Sequence, residues 1–156
     1  MKMFYKLLIT GSLFIIILSS SQCKRKANEV GRNSIFFYMD GEEVKSSCSS
    51  LIDVTEAPDT LNIRMCVDNT YLFFDVNNYH GEATYLFDAA SGNACHTDIY
   101  ANPVYQAADN RKTYLQILEI DHFNRIIRGL FEAELINTDN PNDVKLLTKG
   151  RFDLDY

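Results

Sequence analysis

Three histidines, His80, His96 and His122, are the side chains of this chain best suited to proton transfer or metal ligation, and their spacing predicts neither. None lies in an H-E-x-x-H or paired Cys-x-x-Cys pattern. The densest cluster is Cys95-His96-x-Asp98, which His80 could approach. Cys95 and His96 are consecutive in a strand pattern, so their side chains leave opposite faces and do not begin a four-ligand site. Asp139-Asn140-Pro141-Asn142-Asp143 offers oxygens suited to calcium, but it lacks the EF-hand order and the distal glutamate. Polar residues between strands more often make turns. For nucleophilic chemistry there is no G-x-S-x-G elbow. Lys45 adjoins the Ser46–Ser50 cluster, but neighbouring side chains of an extended chain diverge. Glu132 and Glu134 share a strand face, yet a glycosidase pair flanks a cleft from different strands. They read as a solvated face. The expectation is therefore a protein that is not an enzyme, with no catalytic, cofactor-binding or metal-ligating residues.

Binding is the stronger class. Tyr79, Tyr100, Tyr105 and Tyr114 lie in or beside loops. Brought together they would form a platform for a glycan or a peptide, since tyrosine offers a flat face and a hydroxyl. The chain has no tryptophan, which weakens the glycan version, and the competing reading is that the tyrosines cap the edges of the core.

The compartment is read from the first 23 residues. Lys2 and Lys6 precede an apolar run, Leu7 to Leu18, followed by Ser19, Ser20, Ser21, Gln22 and Cys23. A charged start, a short apolar middle and small residues make an export signal. A dozen residues are too few to span a bilayer, which takes about 20. Cleavage before Cys23 would leave a thiol for diacylglycerol, each buried CH₂ of which adds about 0.8 kcal/mol of membrane affinity. Cleavage after Ser21 and a retained anchor are the alternatives. The expected organisation is a lipoprotein signal peptide over 1–22, the lipidated Cys23 and a flexible tether over 23–33, and a single domain over 34–156. Lys24, Arg25 and Lys26 follow Cys23 and suit an anionic leaflet or, more simply, a solvated tether; surface-displayed bacterial lipoproteins tend to carry acidic residues after the cysteine, and the lack of that resemblance favours the periplasmic face of the outer membrane over the cell surface.

Removing 22 of the 156 residues leaves 134, one ordinary domain. The signal takes two lysines and no acid, so the net charge of −6 becomes −8. An acidic domain repels phosphate backbones, which excludes nucleic acid as the expected partner. Cys48, Cys66 and Cys95 remain, so one disulfide among the three is expected, with the pairing open.

From Ser34 onward the apolar period is two. Asp40-Gly41 is a two-residue hairpin signal. In 61–67, Leu61, Ile63, Met65 and Val67 face one way and Asn62, Arg64 and Cys66 the other. Ile127, Gly129, Phe131, Ala133 and Leu135 share a face, as do Phe152, Leu154 and Tyr156. A last hairpin is expected across Lys149-Gly150. Helices have room only in 51–58 and 104–109. About nine strands at this spacing predict an all-β domain, an antiparallel β-sandwich, with a closed or partly open β-barrel as the alternative.

The stretch from Leu118 to Asp153 resembles the C-terminal half of an uncharacterised lipoprotein family from Bacteroidetes. The residues that carry the resemblance are Asp121, Ile126, Ile127, Gly129, Phe131, Ala133, Gly150, Phe152 and Asp153, with Phe37-Tyr38-Met39-Asp40-Gly41 matching the opening strand and turn. Arg128 and Leu130 depart from that pattern. The resemblance implies one compact extracytoplasmic β domain and no particular activity. The resulting expectation is a lipid-anchored, non-enzymatic binding or accessory protein, held to the membrane through its lipid and engaging an unknown protein or glycan. A hydrolase with a loop-assembled site and an immunity or inhibitor protein are the alternatives.

Overall fold

The computed structural model describes residues 33–46, 53–67, 70–99 and 104–156. Cys23, Cys48 and Tyr100 lie outside them. The described residues form eleven strands and no helix: β1 (Ser34–Met39), β2 (Glu42–Ser46), β3 (Asp53–Ala57), β4 (Thr60–Val67), β5 (Thr70–Asn77), β6 (Thr84–Leu86), β7 (Ala94–Ile99), β8 (Val104–Ala107), β9 (Tyr114–Asp121), β10 (Ile126–Asn137) and β11 (Val144–Asp155). All neighbours pair antiparallel, in one sheet ordered β2-β1-β11-β10-β8-β7-β5-β4-β3 that curls into a half-barrel. The all-β expectation holds, and the architecture is the partly open barrel rather than two stacked sheets.

The long strand β10 forks the sheet. Its first half pairs with β9, which carries β6, and its last three residues pair with β8 along the same edge. The interior is filled where the arms meet. Phe131 of β10 packs against Phe37 of β1 at 5.6 Å and Phe74 of β5 at 5.3 Å between ring centroids, and Phe74 also meets Phe87. Burying such rings at close packing removes any channel through the centre. Alternation explains the facing. Leu61, Ile63 and Met65 are buried together on β4, as are Phe131, Ala133 and Leu135 on β10.

Three local expectations change. The stretches 53–57 and 104–107 are strands β3 and β8, not helices, because each completes a ladder with a neighbour already in the sheet. Lys149-Gly150 is not a turn between two strands. It is a bulge within β11, where Phe131 faces Gly150 but Ala133 faces Leu147. The bulge resets the alternation so that Leu147, Phe152 and Leu154 all point inward. Positive φ falls on Lys149, at 55°, while Gly150 is needed for space, since a Cβ there would stand 2.6 Å from the Phe131 ring. The Asp40-Gly41 hairpin is as expected, with φ of 51° and 89° suited to a type I′ turn.

Candidate functional site

The edge strand β3 carries a carboxylate towards the inside of the half-barrel. Glu56 is opposite Leu61 in the ladder and lies two residues from Val54, which packs on the core. Among the described residues β3 pairs with β4 alone, so Glu56 stands at the lip of the open side. Two further segments close around it. The 78–81 loop bends through positive φ at Asn78 and Gly81, and its Tyr79 N–H donates to the Asp59 carbonyl of the β3–β4 turn at 3.0 Å. The β9–β10 turn is shaped by Asp121, whose carboxylate accepts from the Asn124 backbone and side-chain N–H groups at 2.9 and 2.6 Å. These segments bound a cleft of about 420 Å³ lined by Glu56, Pro58, Tyr79, His80, Ile120 and His122.

The polar groups of the cleft converge on Glu56. Its Oε2 lies 3.7 Å from His122 Nδ1. The Tyr156 hydroxyl and His122 Nδ1 are hydrogen-bonded at 2.6 Å, and the Arg125 guanidinium sits over the Tyr156 ring. Burial, and then the Glu56 charge, raise both the Tyr79 and the Tyr156 phenols above the ordinary tyrosine range, so both keep their protons. Tyr79 is only 7% exposed, and its buried hydroxyl has no partner at hydrogen-bonding geometry. Its neighbour Tyr85 is fully engaged, donating to the Gly81 carbonyl at 2.7 Å and accepting from the His80 N–H at 3.1 Å.

A second hollow, of about 490 Å³, lies beside β7 and β8. Several of its polar groups are already engaged by neighbouring residues. Asp88 accepts from the Ser91 N–H, Asn93 donates to the Leu86 carbonyl and accepts from the Asn77 N–H, and His96 stacks flat on Phe73 at 4.5 Å.

Of the tyrosines expected to form a platform, the three among the described residues are not gathered on one surface. Tyr79 floors the cleft, and Tyr105 is buried, donating to Asp143 Oδ2 at 2.6 Å. Tyr114 lies opposite Glu132, on the face of β9 turned away from buried Leu115. Tyr105 and Tyr79 were readable as core-edge tyrosines, and that reading fits them. Cys95 points into the core and Cys66 leaves the other face of the sheet, so these two do not bridge. Burial raises the Cys95 thiol far above its ordinary range and keeps it inert. Asp143, in the loop considered for calcium, is occupied by Tyr105 and Asn137. Among the described residues no three of His, Cys, Asp and Glu converge as metal ligands would.

Glu56, His122 and Tyr156 escape sequence reasoning because they come from three separate segments. The available signal was that His122 and Tyr156 end strands that become neighbours through β10, where Ile126 pairs with both Asp121 and Asp155. Compared with protein-family models, with curated proteins and with solved structures, the chain matches none.

Proposed function

We propose that this chain is an exported, lipid-anchored binding or accessory protein of the outer membrane that works by holding a ligand rather than transforming one. The export signal and Cys23 support the anchor, and the resemblance to Bacteroidetes lipoproteins is consistent with it. The observation that carries the binding reading is the mouth cleft, where polar side chains from three segments converge beside a filled interior. A carboxylate, two protonated phenols and an imidazole supply acceptors and donors to a guest.

Mass spectrometry of the mature N-terminus tests the anchor. The expected species begins at an acylated Cys23, and an unacylated Gln22 or an intact Met1 sinks it. The hydrolase reading gains one observation here, the carboxylate and imidazole 3.7 Å apart. Turnover on a panel of esters and glycans, abolished by Glu56→Gln, would replace the binding reading.

A further inference from the structure

Four carboxylates of the described residues are paired with lysine or arginine. Glu119 and Asp153 meet Arg128, Glu134 meets Arg111, and Asp40 meets Lys145. Glu56, whose side chain is 25% exposed, has no lysine or arginine within 4 Å among the described residues; its ion-pair contact is the His122 imidazole. Glu56 is a carboxylate on the core side of an edge strand, attended by one imidazole and two phenols. Beneath it the buried Tyr79 hydroxyl faces Glu56 without reaching hydrogen-bonding geometry. Asp59, Glu82 and Asp121 lie in the segments around the cleft and strengthen the negative potential. The nearby cation, Arg125, is engaged over the Tyr156 ring at 5.9 Å.

We propose that this cleft receives a primary alkylammonium group, carried by a free amine or by a lysine side chain. The proposal rests on the binding reading above and deepens it. An ammonium placed on Glu56 forms the charge-assisted pair that the protein itself does not supply. The Tyr79 and His80 rings line the same space and favour a cation over their faces, while Ile120, Ala57 and Pro58 receive its alkyl stem. For a lysine side chain, the edge of β3, unpaired among the described residues, offers a backbone on which an extended segment can add as a strand. Glu56 on β3 is faced by His122 and Asp121 from β9 and its turn, by Arg125 at the end of that turn, by Tyr79 and His80 from the 78–81 loop, and by Tyr156 at the C-terminus.

The test is calorimetric or NMR titration of the mature chain with cadaverine and with a lysine-centred pentapeptide of alternating valine and threonine. Nε-acetyl-lysine in the same peptide is the control. Saturable binding that acetylation abolishes supports the proposal. Tighter binding of the peptide than of cadaverine identifies lysine as the source, and the reverse identifies a free amine. Glu56→Gln should weaken binding about tenfold or more, and Tyr79→Phe by several-fold, with thermal melts unchanged. Equal binding of the acetylated peptide, indifference to both Glu56→Gln and Tyr79→Phe, or no binding of either amine overturns the proposal. Those failures leave an acylated Cys23 and a non-cationic ligand open, so they are separable from failure of the anchored binding reading.

Discussion

Arg128, Glu119 and Asp153 form one polar cluster; Glu56, Tyr79, His122 and Tyr156 form another, and the two are built in opposite ways. In the first, three adjacent strands bring a guanidinium between two carboxylates, at 2.8 Å to each. Its register is set by the ladder, because Arg128 pairs with Glu119 on one side and Asp153 on the other. One Asp153 oxygen stays unbonded, but the charge is answered. In the second, the groups come from an edge strand, a loop, a turn and the chain end, and among the described residues the carboxylate has no lysine or arginine within 4 Å. The first cluster closes on itself and holds strands together; the second leaves charge and a hydroxyl unanswered, which is what a ligand needs.

The largest effects should fall on the scaffold beneath the first cluster. At Gly129 a Cβ would stand 2.3 Å from the Gln116 carbonyl oxygen and 2.4 Å from the Phe152 ring, and at Gly150 it would meet the face of Phe131. Gly129→Ala and Gly150→Ala should each cost about 1–3 kcal/mol in urea unfolding, since core overpacking of this kind shifts rings and backbone. Native-like midpoints for both would mean the strands shift aside freely, and the contrast between rigid scaffold and open mouth would fail.

Next is Arg128→Met, which removes the answering charge from Asp153, itself only 13% exposed in its side chain. Because the guanidinium is 40% exposed, the expected loss is about 1 kcal/mol. Chemical denaturation at low and high salt measures it, and a loss that vanishes at high salt identifies it as electrostatic.

A pair of tyrosine substitutions sharpens the comparison. Tyr105→Phe removes a hydroxyl that donates to Asp143 and should cost about 1 kcal/mol. Tyr79→Phe removes a buried hydroxyl without a bonded partner and should leave stability within about 0.5 kcal/mol, or raise it. Equal destabilisation by both would show that the Tyr79 hydroxyl serves the fold.

The smallest effect is acid-dependent. For Asp40, burial raises the carboxyl, but the Leu146 N–H and the Lys145 ammonium outweigh it and bring it below the ordinary aspartate value. Donation by Tyr105 and Asn137 lowers Asp143 in the same direction. Both folded values lie below the unfolded one, so their contribution is complete above the ordinary aspartate pKa of 3.8 and is lost as pH falls through the lowered values. The double variant Asp40→Asn, Asp143→Asn should flatten the loss of stability seen by fluorescence between about pH 4 and pH 2. An unchanged slope would assign acid unfolding elsewhere.

The scaffold was largely readable in the chain. Alternation at 61–67 and 126–137 gave both strands and their buried faces, because one apolar face per strand must reach the core whatever its neighbours are. The Asp40-Gly41 turn was readable for an equally local reason, the tolerance of those residues for positive φ. Reading failed at Lys149-Gly150, where a turn signal and a bulge require the same backbone conformations. It failed too at 53–57, a short polar strand whose only reason to extend is the ladder offered by β4. Glu56 lies in that strand, so the misread segment and the unforeseen site coincide.

Taken alone, the amino-acid order determined the strand character, the inward faces, the acidic balance and an expected export route. Each of these depends on residues near one another along the chain. Tertiary structure decided that the sheet curls into one forked half-barrel, that a bulge resets β11, and that Glu56, Tyr79, His122 and Tyr156 meet. Their meeting depends on how far each strand twists and which edges are left unpaired, quantities summed over many long-range pairings that no short stretch encodes.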